Sequence, residues 1–98
     1  IGVNGIDGHN VTTANEEEGN GNAIILNNAI EKYIVADNSK FDSYSFYSFY
    51  RLDNIDAIVT DDHISPKVRA KYSSYTKVLW FDRVVMNVNL RFWKLRIS

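Results

Sequence analysis

Asp37, Ser39 and Lys40 stand together in Y-I-V-A-D-N-S-K, where an apolar run ends abruptly in an acid, a hydroxyl and a base. Lysine binds phosphate or a carbonyl oxygen as a point charge, and a carboxylate accepts from sugar hydroxyls. In open α/β sheets, small molecules bind outside the carboxyl ends of the strands, so an apolar run delivering these groups fits a binding loop. Spacing alone favours a plainer reading, a surface turn with an exposed ion pair worth about 0–1 kcal/mol. Two further strand ends have the same character: Ile58, Val59 and Thr60 run into Asp61 and Asp62, and Ile1, Gly2 and Val3 run into Asn4, Gly5, Ile6 and Asp7. Gly5 permits a positive backbone angle or a close approach to ligand, while Asn4 and Asp7 offer polar groups to hydroxyls. An ordinary Asn-Gly turn explains the same residues. Thr12 and Thr13 can donate to a ligand from the next loop, although lone loop threonines carry little weight by themselves.

The remaining polar clusters have simpler explanations. Glu16, Glu17 and Glu18 follow Asn15, the pattern of a capped helix start whose dipole favours acids. Asp61 and Asp62 are adjacent and diverge, without a third cation ligand in sight. His9 and His63 have no metal-ligand spacing. No metal, cofactor or catalytic residue is expected. The aromatic run from Tyr44 to Tyr50 fits core or subunit interface, which implies a homo-oligomer, with sugar stacking as a minor option.

The elements that position these groups alternate. A strand over Ile1–Val3 leads into a Gly-, Asn- and Thr-rich loop from Gly5 to Ala14, then a helix from Glu16 to Lys32. Ile25, Leu26, Ala29, Ile30 and Tyr33 give that helix an apolar face fit to cover a sheet, while Gly19 and Gly21 predict fraying. Strand, helix, strand implies a right-handed crossover and parallel pairing of the Ile1–Val3 and Tyr33–Ala36 strands. Ser43 to Tyr50 reads equally as an edge strand or an aromatic loop. A turn over Leu52–Asp56, a strand over Ala57–Thr60, a Ser65-capped helix with Pro66 at its first position running to Ser74, and a strand over Lys77–Phe81 complete the order. Met86, Val88, Leu90 and Phe92 alternate with polar residues, so residues 82–98 read as an extra strand or a basic tail foreign to the domain.

At 98 residues with 45% hydrophobic residues, the chain fits one small domain. The absence of cysteine excludes a disulfide scaffold and suits a reducing cytoplasm. No apolar run approaches the roughly 20 residues of a membrane span. Without an initiator Met or a basic leader, and opening inside a motif, the chain reads as a piece of a longer protein. Residues 1–82 hold 7 Lys or Arg against 12 Asp or Glu, a charge of -5, whereas residues 83–98 carry +4. An acidic body of this kind is repelled by a nucleic-acid backbone, so it does not suit DNA contact.

Taken in order, I-G-V-N-G-I-D, V-T-T-A-N-E-E-E, V-A-D-N-S-K-F and I-D-A-I-V-T-D resemble the C-terminal sensor domain of DeoR-type bacterial transcriptional repressors over residues 1 to about 80. Within that family the N-E-E-E-G and S-F-Y-S-F-Y wording is similar to repressors of lactose phosphotransferase systems. The resemblance implies residues 1–81 as the distal part of an effector-sensing domain of α/β class. Its fold would be a partial Rossmann-like parallel sheet flanked by helices, similar to ribose-5-phosphate isomerases and coenzyme A transferases and truncated on its N-terminal side. It further implies a phosphorylated sugar as inducer, held by Asn4, Gly5, Asp7, Thr12, Thr13, Asp37 and Lys40, and operator DNA bound through a helix-turn-helix outside this chain. Where the related isomerases read D-G-A-D-E, this chain reads N-G-I-D-G. Asn4 cannot take up a proton as an aspartate does, and Gly8 replaces the glutamate, so the resemblance implies binding without turnover. An isomerase-like enzyme fragment and a pure oligomerisation module stand as alternatives.

Overall fold

A computed structural model describes residues 1–82. In chain order the elements are β1 (Gly5–Asp7), β2 (Asn10–Thr13), α1 (Glu16–Asn27), β3 (Tyr33–Val35), β4 (Tyr47–Arg51), β5 (Ala57–Asp61), α2 (Pro66–Ser73) and β6 (Lys77–Phe81). They form a mixed α/β unit with two sheets, one parallel in the order β3-β5-β6 and one antiparallel in the order β1-β2-β4. The reading of Met86–Ser98 as an extra strand or foreign tail lies outside the described residues.

The parallel sheet follows the expected strands. Ile34, Ile58 and Val78 lie in register across it, and all three are buried. Full burial of each such side chain contributes about 1.5–3 kcal/mol. The opening residues join this sheet in parallel: Gly2 bridges Val35, the Val3 N–H donates to the Val35 carbonyl at 3.3 Å, and the Val35 N–H donates to that of Ile1 at 2.8 Å. Ser65 caps α2 by accepting from the Val68 N–H at 3.2 Å, with Pro66 at the helix start.

Gly5 to Ala14 departs from the expected loop: it holds the β1-β2 hairpin, with Gly5 opposite Thr12 and Asp7 opposite Asn10. Gly8 turns the chain at φ +57°, a region glycine enters without strain. The β-branched Val11, Thr12 and Thr13 are all buried. Polar composition predicts a loop, but the threonine hydroxyls find partners within the chain, Thr12 at the Gly5 carbonyl and Thr13 at the Asn15 carbonyl. Ser43 to Tyr50 combines both readings, a loop through Phe46 followed by the edge strand β4.

Helix α1 is shorter than its periodicity predicts and sits elsewhere. It stops at Asn27 because Asn28 turns back on it, the Asn28 Nδ2 donating to the Ile24 carbonyl at 2.8 Å. It packs on β2 and β4, burying Gly19 and Leu26 while Ile24, Ile25 and Ile30 stay exposed. Gly19 does not fray the helix. A Cβ there would lie 2.6 Å from Tyr47 Cδ2 and 3.0 Å from Phe49 Cβ, so the absence of a side chain is what lets α1 approach β4.

Candidate functional site

The D-N-S-K loop owes its shape to a mismatch between two neighbouring segments. Gly2 bridges Val35 and Ile6 bridges Phe41, both in parallel. Four positions separate Gly2 from Ile6 and six separate Val35 from Phe41, so two extra residues must leave the line of the sheet between these contacts. They form a 3₁₀ turn over Asn38–Lys40. Asn4 lies inside the same interval on the facing segment, which places it at the base of the turn.

Asp37 caps this turn, its Oδ1 accepting from the Ser39 N–H at 2.8 Å and from the Ser39 hydroxyl. Its Oδ2 takes no partner among the described residues. The Lys40 N–H closes the turn on the Asp37 carbonyl at 3.1 Å. Its half-buried side chain has an ammonium with no hydrogen bond or ion pair among the described residues, so the exposed Asp37–Lys40 ion pair of the plainer reading does not form. The exposed Asn4 spends its backbone N–H on the Thr12 carbonyl at 3.1 Å, and its amide side chain makes no hydrogen bond among the described residues.

Three other expected ligand residues have polar groups or space engaged within the chain. Thr12 is fully buried, its hydroxyl donating to the Gly5 carbonyl and accepting from the Ser45 N–H, both at 3.1 Å. Thr13 is equally buried and donates to the Asn15 carbonyl at 3.0 Å. Gly5 makes its close approach to the chain itself, since a Cβ there would stand 2.3 Å from the Ser43 carbonyl oxygen. These residues fix the scaffold beneath the site. Asp7 is exposed at the hairpin turn, beyond the Ile6–Phe41 contact and about 10 Å along the strand from Asn4. The structure therefore does not bring Asp7 into the interval that holds Asn4, Asp37 and Lys40.

Two polar constellations were not legible in sequence. Asp61, 1% exposed at the end of the central parallel strand, accepts from the Asn38 N–H at 3.0 Å, from Asn38 Nδ2 at 3.0 and 3.2 Å, and from the His63 N–H at 2.9 Å. Asp42, in the left-handed region at φ 57°, accepts from Lys71 Nζ at 2.6 Å and from the buried Tyr72 hydroxyl at 2.7 Å. The Lys71 and Tyr72 hydrogen bonds hold the Asp42 carboxyl below the usual range, and burial pushes the Tyr72 phenol up. Tyr72 also receives the Gly8 N–H at 3.3 Å, so it joins the hairpin turn to the end of the site loop. Only proximity in space reveals these pairs, because their partners lie between two and 64 residues apart in sequence. Among the described residues no group of His, Cys, Asp or Glu could hold a metal ion. No helix of the described residues is long and apolar enough to cross a membrane.

Residues 1–62, which contain the whole of this loop and its base, match the family model for the DeoR C terminal sensor domain. The chain belongs to that family. The sensor domain is 39% identical over 82 residues to a lactose phosphotransferase system repressor of Lactococcus lactis subsp. lactis, covering 84% of this chain and 32% of that protein. It is 37% identical over 76 residues to the repressor of the same name from Streptococcus mutans, covering 78% and 30%. It is 41% identical over 61 residues to the HTH-type transcriptional repressor GlcR of Bacillus subtilis, covering 62% and 24%. The sensor domain thus spans about a third or less of the length of the curated relatives it matches. No solved structure gives a significant match. Membership makes this chain a ligand-sensing regulatory domain rather than an enzyme.

Proposed function

We propose that this sensor domain binds a phosphorylated sugar as inducer for a repressor of carbohydrate catabolism. The observation that carries this reading is the Lys40 ammonium, without a partner among the described residues, one turn from the spare Oδ2 of Asp37. Lys40 supplies the phosphate contact, Asp37 Oδ2 accepts a sugar hydroxyl and the Asn4 amide completes the set. Asp7 is at most a peripheral contact. Thr12, Thr13 and Gly5 act by holding the hairpin. In the longer protein a helix-turn-helix outside this chain would bind operator DNA, as the relatives' names suggest, in the cytoplasm. The finer fold likeness to ribose-5-phosphate isomerases and coenzyme A transferases, with residues 1–81 as the distal part of the domain, belongs to the same proposal. Tyr44 and Phe46 are exposed at 51% and 71%, which supports self-association through the aromatic loop.

Titration calorimetry with ribose 5-phosphate and tagatose 6-phosphate tests the reading. One of them should bind, and Lys40→Ala should weaken it about ten- to a hundredfold, the loss expected for one charge-assisted hydrogen bond. Unchanged binding by Lys40→Ala would remove the assignment, and isomerisation of either sugar would favour the enzyme alternative. Sedimentation of the same samples reads self-association with and without ligand.

A further inference from the structure

We infer that Asp61 is a positioning residue for the effector loop, acting through Asn38. The inference rests on the sugar-phosphate reading of that loop. Asp61 ends β5, the central strand of the parallel sheet, and Asn38 opens the 3₁₀ turn after the neighbouring β3. A buried carboxylate is costly unless donors surround it, and Asp61 collects the Asn38 N–H, both ends of a bidentate contact from Asn38 Nδ2, and the His63 N–H. The clamp ties the loop after β3 to the loop after β5.

The ties then run in series toward the binding groups. Asp61 fixes Asn38, Asp37 fixes Ser39 through Oδ1, and the Lys40 N–H closes on the Asp37 carbonyl. The turn is only three residues long, too short to hold its shape from its own hydrogen bonds. Anchored to the rigid sheet, it presents Lys40 and the free oxygen of Asp37 in one arrangement. Released, it spreads over several, and apparent affinity falls in proportion to the fraction still competent to bind. The two adjacent acids Asp61 and Asp62 thus divide their work: the first is an internal anchor, and the second is exposed, 3.8 Å from His63 Nε2.

Asn38→Asp in the full chain tests this, because residue 38 is only half-buried and a change there spares the core. At neutral pH the new carboxylate faces that of Asp61, and affinity for tagatose 6-phosphate should fall about tenfold. On acidification one of the two facing acids takes up a proton, since like charges raise a carboxyl pKa, and an O–H···O bond replaces the lost clamp. The ratio of variant to unsubstituted affinity should therefore recover on acidification. In a Lys40→Ala background, Asn38→Asp should cost less than it does alone, because part of its effect passes through the Lys40 contact. A deficit that does not change with pH, or one that adds fully to that of Lys40→Ala, would overturn the positioning role. So would neutral-pH binding equal to that of the unsubstituted chain. Should the unsubstituted chain bind neither tagatose 6-phosphate nor ribose 5-phosphate, the sugar-phosphate reading and this inference fall together; should only the variant results disagree, the reading stands and the inference alone is lost.

Discussion

Gly19 and Gly21 lie two positions apart in α1, and replacing each by alanine should move stability in opposite directions. Helix propensity treats both alike, favouring alanine over glycine by about 1 kcal/mol in a helix interior. Surroundings separate them. At Gly21 a Cβ meets nothing within 4 Å, so Gly21→Ala should stabilise by roughly 1 kcal/mol and raise Tm by roughly 4–8 °C for a domain of this size. At Gly19 a Cβ would stand 2.6 and 2.9 Å from two atoms of the Tyr47 ring and 3.0 Å from Phe49 Cβ. The ring has little freedom to retreat, because the Tyr47 hydroxyl donates to Asn20 Oδ1 at 3.1 Å and Phe49 Cβ is fixed to the backbone of β4. Overpacking of this kind costs about 1–3 kcal/mol, and its upper half outweighs the propensity gain, leaving Gly19→Ala destabilised by roughly 1 to 2 kcal/mol. Urea denaturation of both variants, read by circular dichroism, should separate them by roughly 2 to 3 kcal/mol. Equal stabilisation of the two would refute the packing of α1 on β4 through Gly19. A Tyr47→Ala background should shrink the Gly19 penalty and leave the Gly21 gain intact.

Two further outcomes are expected. The Thr60 hydroxyl is fully buried without a hydrogen-bond partner among the described residues, so Thr60→Val should stabilise by about 1 kcal/mol in the same denaturation assay, and a loss of stability would mean that the hydroxyl is satisfied. Asp42 is held below its ordinary value of 3.8 in the folded chain, so its contribution is present above that pH and is lost as pH falls through the lower folded value. Thermal melts of Asp42→Asn and the unsubstituted chain should differ near neutrality and converge in acid; a constant gap would deny that the Lys71 and Tyr72 bonds depend on its charge.

What sequence revealed was whatever is written locally. Asn15 before three glutamates, Ser65 before Pro66 and the apolar runs at Ile34, Ile58 and Val78 each specify a helix start or a strand through near neighbours, and each of these lies where expected. The β1-β2 hairpin was hidden because its stability comes from remote partners, with the Thr12 hydroxyl receiving the N–H of Ser45 from 33 positions away. Helix α1 misled for the opposite reason. Its isoleucines have helical spacing, yet the contact surface is set by a missing side chain at Gly19, which no hydrophobic pattern records. At the site, the type of residue pointed to Asp37, Lys40 and Asn4. The division of the Asp37 carboxylate between a structural and a spare oxygen, and the anchoring role of Asp61, depend on geometry that composition does not carry.

The two extra residues between the Gly2–Val35 and Ile6–Phe41 contacts also bear on how such a domain changes its ligand. Both ends of the excursion are pinned by backbone pairing, which is indifferent to side-chain identity. Positions within it that do not carry the Asn38–Asp61 or Asp37–Ser39 bonds can be exchanged without shifting the register of either sheet. On the proposed effector assignment, a few such positions would set the choice of inducer while the frame is inherited unchanged.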